Sequence, residues 1–313
     1  MMVIGLVCFC ISTNGESNMK IASNCATSTR SGIASKSFLT LTLAVAGVIF
    51  GAGPAWSAPI LGSDLASFAV LGAAGVTNVP TSTIGGNVGS APNATVGGGY
   101  VFSSGSLQAN TALAQNAQIQ LDAAILAVNA SGPGTLITGG DLDAWQISHG
   151  GFIIPGTYTV PFATTNLVGN LFLDGGGSNS AVWNFLFTSS LITSSTSNVT
   201  VQDVGDGSGV GLYWTVASAA TLNGPTFAGN VLAHDLISSD GDLTMTCGRL
   251  LSAETQVTLI NDKVSITGCA GNSGGFDQRG FVESGGQTVP EPSPLALLGL
   301  GFAALGLARR RYQ

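Results

Sequence analysis

The sequence predicts a mostly-β chain wound as a β-solenoid with one long α-helix beside it. Three observations carry this expectation. Ser106–Ala130 contains no Gly or Pro and repeats its apolar residues at helical spacing. The chain after it alternates short Thr-, Val-, Leu- and aromatic-rich segments with Gly, Asn, Ser and Asp, as strands between turns do. Its last part divides into repeats of about 20 residues, each with three strands, which is the mark of a solenoid.

The helix comes first in chain order. Leu113, Ala117, Leu121, Ala124, Ile125 and Val128 form its small apolar stripe, Ser106 its expected N-cap, and Gly132-Pro133 its stop. Gln108, Gln115, Gln118 and Asp122 are expected to face water. The repeats then run Leu212–Gly229, Asn230–Gly248 and Arg249–Cys269. Phe227, Met245 and Ile266 fall at matching inward places in the third strand, 18 and 21 residues apart. Val231-Leu232-Ala233 matches Leu250-Leu251-Ser252 in the first strand. A Greek-key sandwich is the alternative, although it does not call for such matching.

Charge narrows the function. Between Ala58 and Val289 three basic residues (Arg249, Lys263, Arg279) stand against 14 acidic ones, a formal charge of −11. Three cations do not neutralise a phosphate backbone, so nucleic acid is excluded as a partner. Apolar residues are too plentiful for a disordered chain. Acid–base groups are sparse, with His149 and His234 the only histidines, and neither catalysis nor a cofactor is expected.

Both ends read as addresses. Met19 with Lys20, Arg30 and Lys36 opens a basic region before the apolar run Phe38–Phe50, and Ala55-Trp56-Ser57 supplies a signal-peptidase site. An N-terminal anchor helix is the rival, but the run is shorter than the ~20 residues a span needs. At the other end Pro290-Glu291-Pro292 precedes the apolar stretch Pro294–Ala308 and then Arg309-Arg310-Arg311. This tail resembles the PEP-CTERM sorting signal. The resemblance implies a Gram-negative host, a transient inner-membrane anchor, exosortase processing, and release to the surface or an exopolysaccharide matrix. Cys8, Cys10 and Cys25 precede the cleavage site, leaving Cys247 and Cys269 in an oxidising compartment. They are too few for a zinc site and lie one repeat apart, so a disulfide closing a 22-residue loop is expected. The expected organisation is a signal region over 1–57, a solenoid over 58–270, a linker over 271–289 and the sorting signal, with its short transmembrane helix, over 290–313.

Within the solenoid, Leu61-Gly62-Ser63-Asp64-Leu65-Ala66-Ser67-Phe68-Ala69-Val70-Leu71, Ile84-Gly85-Gly86-Asn87-Val88-Gly89, Leu173-Asp174-Gly175-Gly176-Gly177, Ala181-Val182-Trp183-Asn184-Phe185 and Cys247-Gly248-Arg249-Leu250-Leu251-Ser252 resemble the ice-binding-like family of secreted β-solenoids (the DUF3494 domain). The likeness spans about Leu61 to Gly268. It implies a discontinuous triangular solenoid, the N-terminal segment forming one end and the helix lying along one side. It also implies antifreeze or recrystallisation-inhibiting activity through one flat face. A structural or adhesive matrix protein of the same fold is the second reading. Ice or extracellular polysaccharide is the expected partner, and the protein is expected to be a monomer.

A flat face needs regular, short, uncharged side chains, and Thr supplies a stiff β-branch with a methyl and a hydroxyl. The residues flanking the inward third-strand positions are Thr226 and Ala228, Thr244 and Thr246, Ser265 and Thr267, with Asn198 and Thr200 adding a rung. This column is the first choice, although Phe172 would stand in a Thr place if its strand joins. Thr221, Ser238 and Thr258 form the second-choice column. Thr is also a common exposed strand residue with no ligand. Asp203–Gly209 and Asp240-Gly241-Asp242 offer oxygen ligands without an established calcium spacing, and no metal is expected. Asp141, Asp143, Trp145 and His149 make an assortment seen at sugar sites, read here as a polar loop. Gly207-Ser208-Gly209 lacks both the outer glycines of a Gly-Xaa-Ser-Xaa-Gly window and a strand-to-helix context.

Overall fold

The computed structural model describes residues 59–269 and 274–279. The expected signal region and sorting signal, with Glu291 and Arg309–Arg311, lie outside them. Among the described residues no helix is long and apolar enough to cross a membrane.

The strands stack in parallel into a three-sided solenoid. Each repeat runs up a first face, turns onto a second and returns along a third. In the repeat beginning at Gly211 these are Gly211–Val216, Ala220–Leu222 and the start of Thr226–Ala233. Thr226–Ala233 and Thr244–Ser252 each continue round the corner into the first strand of the next rung. The corner is a bulge. Ala228 pairs with Thr246 and Gly229 with Gly248, leaving Cys247 extra at φ 59°. Gly229 sits there at φ 91°, and a Cβ would lie 2.3 Å from Leu212 Cγ.

The winding is discontinuous. The rung at Phe68–Gly85 stacks on the last repeat at all three faces, through Val70 on Leu250, Val76 on Val257 and Ile84 on Val264. The strands Asn87–Ser90, Gly99–Ser104 and Leu107–Ala109 then close that end. Thr135–Leu136 and the short helix Leu142–Ser148 close the other. The interior is apolar, and rings follow the axis, with Phe185 stacked on Trp214 at 4.3 Å and on Tyr158 at 5.4 Å.

The long helix, α1, spans Ala112–Asn129 and covers the first face. Ala114, Ala117, Leu121, Ala124 and Val128 are fully buried against Phe68, Leu71, Tyr213, Leu232 and Leu251. Small alanines allow this close approach. The expected N-cap, Ser106, was five residues early. Leu107–Ala109 is a strand on the first face, and Thr111 caps α1 by accepting from Ala114 N at 3.3 Å. Gln108 therefore sits on that strand, and half-buried Gln118 donates to the Ser252 carbonyl.

One register expectation is corrected. Val231–Ala233 does pair with Leu250–Ser252, and Phe227 with Met245. Met245, however, pairs with Val264 and not with Ile266. The turn before the last strand is shorter than the residue count implied, so Ser265 lies beside Thr246 and Lys263 beside Thr244. Thr267 falls after the strand, where its hydroxyl meets Ser265 Oγ at 2.9 Å.

Candidate functional site

Covered by α1, the first face is closed to a flat ligand. The second and third are open.

On the second face Ile192, Thr221, Ser238, Thr258 and Thr77 are successive Cα partners across five strands. Their neighbours Leu191, Ala220, Leu222, Ile237, Val257, Leu259 and Val76 point inward and are buried, so period-two alternation drives the column outward. The column carries no charge. None of the four hydroxyls hydrogen-bonds another described group, so all are open to water. Thr77 belongs to a strand before the helix, and repeat spacing alone gave no sign of it.

The third face is longer and two residues wide. One column runs Asn170, Asn198, Thr226, Thr244, Lys263, Thr83 and Val101. Asn198 Nδ2 donates to Asn170 Oδ1 at 3.0 Å, and Thr226 Oγ1 donates to Asn198 Oδ1 at 2.8 Å, which ties up those groups. Beside it Phe172 pairs with Thr200, while Ala228, Thr246, Ser265 and Gly85 follow one another. Between Thr200 and Ala228 the two strands part, their pairing ending at Asn198 and Thr226. A groove of about 290 Å³ opens there, lined by Thr200, Thr226, Ala228, Thr246, Cys247 and Phe276. The face combines a dent, a lysine and an exposed phenylalanine.

Cys247 and Cys269 form the disulfide, closing the corner beside this groove. Residues 274–279, in the span expected as linker, strap the same corner. Arg249 is fully buried and donates to Ala66 O, Gly274 O, Gly275 O, Asn230 Oδ1 and Asp277 Oδ2.

Residues 70–265 match the Ice-binding-like family, which is well over half the chain. The chain belongs to this family. Residues 288–311 match the PEP-CTERM protein-sorting motif. An ice-binding protein of Nostoc sp. (strain HG1) is 30% identical over 248 residues, covering 78% of this chain and 84% of that protein. Two solved structures have similar folds. The ice-binding protein of the Antarctic ascomycete Antarctomyces psychrotrophicus aligns with a TM-score of 0.59 at 26% identity, over 67% of this chain and 99% of that one. One from an Antarctic biological consortium aligns at 0.56 and 25% identity, over 67% and 91%.

In this ice-binding-like chain the other sequence constellations have local explanations. Asp141 caps the short helix Leu142–Ser148 through Ala144 N at 3.0 Å. Asp143 accepts from Val168 N and Gly169 N at 3.2 and 3.0 Å, while Gln146 bonds Asn170 O and Phe172 N. These side chains satisfy the open edge of the third face. Burial and the Asp143 carboxylate push the Asp141 carboxyl up, whereas Asp143, despite its own burial, is held down by hydrogen bonds from Asp141 and the two amides. Trp145 stacks on His149 at 3.8 Å. Asp206 Oδ1 accepts from Ser208 N and Asp242 Oδ1 from Asn261, as turn residues do. Exposed His234 lies between Asp235 (3.5 Å) and Glu254 (3.2 Å) on a corner, where each ring nitrogen faces a carboxylate.

Proposed function

We propose that the protein is exported and adsorbs to ice through the second face. The observation that carries this reading is the in-register column Thr221, Ser238, Thr258 and Thr77, uncharged and with hydroxyls uncommitted. Parallel strands repeat at ~4.8 Å, so the column offers water a regular row of methyl and hydroxyl groups on a rigid support. Relatives described as ice-binding proteins support the same activity. Adsorption requires no bond to be made or broken, and the proposed role is binding without catalysis, cofactor or metal. The mature domain is proposed to begin at Ala58. The sorting motif supports signal-peptidase and exosortase processing, with transient anchoring by the apolar segment after Pro292.

The third face is the competing surface. Its favour is width, since Thr226 beside Thr244 and Thr246 beside Ser265 make two in-register pairs.

The test is ice-crystal growth in the presence of protein spanning Ala58–Val289, with hysteresis and recrystallisation measured against an inert protein. Faceted, arrested crystals are expected. Thr258→Tyr should abolish the effect and Thr246→Tyr leave it; the reverse pattern moves the site to the third face. Round, freely coarsening crystals at micromolar protein would overturn ice binding and leave the matrix-protein reading, next tested on the host's own polysaccharide.

A further inference from the structure

One end of the solenoid is ringed by exposed apolar side chains. Seven of the thirteen large apolar residues that stand exposed among the described residues lie between Leu136 and Phe172, so they are concentrated in its last two rungs. Chance surface leucines scatter; a concentration marks a contact surface.

Their placement says what kind. Leu136 pairs with Thr159 and points out from the first face. Phe162, 67% exposed, stands in the turn from first face to second, after Gly156–Val160. Val168 stands in the turn from second to third, beside the bridge of Leu167 to Thr193. Phe172 points out from the third face, as do Phe152 and Ile154 on either side of inward Ile153, which bridges Leu173. Ile147, 74% exposed, lies on the helix that caps the same edge. Over the last two rungs the apolar groups thus occupy the first face, the third face and the two turns that flank the second. A second copy packing on one side would leave most of this ring wet, whereas a fluid apolar medium meets it everywhere.

Two further features agree. From Thr135 to Phe172 there is no Lys or Arg, and the only carboxylate or imidazole side chains are Asp141, Asp143 and His149; attraction to anionic headgroups is therefore not the design. The strap also runs towards this end. Gly275 O meets Arg249, Phe276 O meets Leu212 N one to two rungs on, and Gln278 N meets Val210 O. From Gly211 three strand spacings, about 14 Å, remain to Thr135–Leu136. Beyond Arg279 the sequence carries the apolar stretch Pro294–Ala308.

We infer that this end is a lipid-contact surface: the solenoid stands end-on against a neutral bilayer, its ring of Leu136, Ile147, Phe152, Ile154, Phe162 and Phe172 at the interface. In this attitude the second face, and the third face beyond its last two rungs, stand along the membrane normal and stay in water. The contact is interfacial, like an amphipathic helix lying on a bilayer, and it does not depend on which face binds ice.

The full chain would be reconstituted into phosphatidylcholine vesicles containing a trace of photoreactive lipid, and labelled peptides mapped by mass spectrometry. Label is expected on peptides from 135–172 as well as on the C-terminal apolar segment. Phe152→Ser with Phe162→Ser, both at exposed sites, should cut label on 135–172 by about tenfold while label on the C-terminal segment stays constant. Label on the C-terminal segment alone, or at the opposite end around Val79, Val101 and Leu107, overturns the proposal. So do cross-links joining 135–172 of two molecules without lipid label, which assign the ring to a second copy. Hysteresis of the same variant reports on ice separately, and a failure here leaves that reading standing.

Discussion

Arg249 and Asp277 meet at 3.2 Å with both side chains at most 2% exposed. The pair fastens a segment beyond the last rung to the middle of the solenoid. Arg279 reaches the same carboxylate at 3.0 Å, so one aspartate holds two cations. Arg249 also donates to Ala66 O near the start of the domain, which makes this corner a clasp for both ends of the described chain.

Asp277→Ala leaves the buried guanidinium without its counter-charge. Breaking a buried pair from one side costs about 3–5 kcal/mol. The expected result is a fall of that size in unfolding free energy by urea titration; a change below about 1 kcal/mol would show that the strap is ornamental.

The second-face column predicts a graded response to bulk. Ser238→Tyr raises a bump between Thr221 and Thr258 and should remove most hysteresis. Thr77→Tyr stands at the end of the column and leaves the other rungs flat, so it should weaken activity less. Equal losses, or a greater loss at Thr77, contradict a flat array centred on Ser238. Circular dichroism checks that both variants keep the fold.

Reducing the Cys247–Cys269 disulfide frees a loop of 22 residues. On the chain-entropy account this lowers stability by about 3 kcal/mol. The bridge lies at the corner of third and first faces, away from the Thr221 column. Below the melting temperature, reduced protein should therefore keep its ice activity while melting earlier. Loss of activity without unfolding would favour the third face.

Acid should loosen the capped end. Asp143 is held below the ordinary carboxylate range by its hydrogen bonds. A carboxyl with a depressed folded pKa contributes stability above its unfolded value, and that contribution disappears as pH falls through the folded one. Asp141 is raised and works in the opposite sense, contributing below its unfolded value. Asp143→Asn is thus expected to cost about 1 kcal/mol at neutral pH, with the deficit against wild type shrinking below about pH 4. A deficit constant from pH 7 to pH 2 would assign the role to shape alone.

Much of this protein was legible in its sequence because solenoid repeats are local. Period-two alternation alone separates Phe227 and Met245 from Thr226 and Thr244, and it put Thr221, Ser238 and Thr258 in one column. The strand-to-strand match of Val231 with Leu250 followed from repeat length, and Cys247 met Cys269 because they stand a rung apart. The absence of Gly and Pro located α1, but it did not place the start: without a breaker, only a partner strand at Asn87–Ser90 draws Leu107–Ala109 out of the helix. Turn length decided Val264 over Ile266, since the fold counts rungs by hydrogen bonds and not by residues. Contacts distant in sequence were beyond reach. Thr77 joins Thr258 only because the chain's first rung stacks on its last repeat, and Asp277 finds Arg249 only once that corner exists. The sequence by itself determined the rungs, the helix and the C-terminal sorting motif; the tertiary structure decided which face is unbroken, because flatness depends on whether neighbouring strands stay paired, as they do from Thr221 to Thr77 and do not between Thr200 and Ala228.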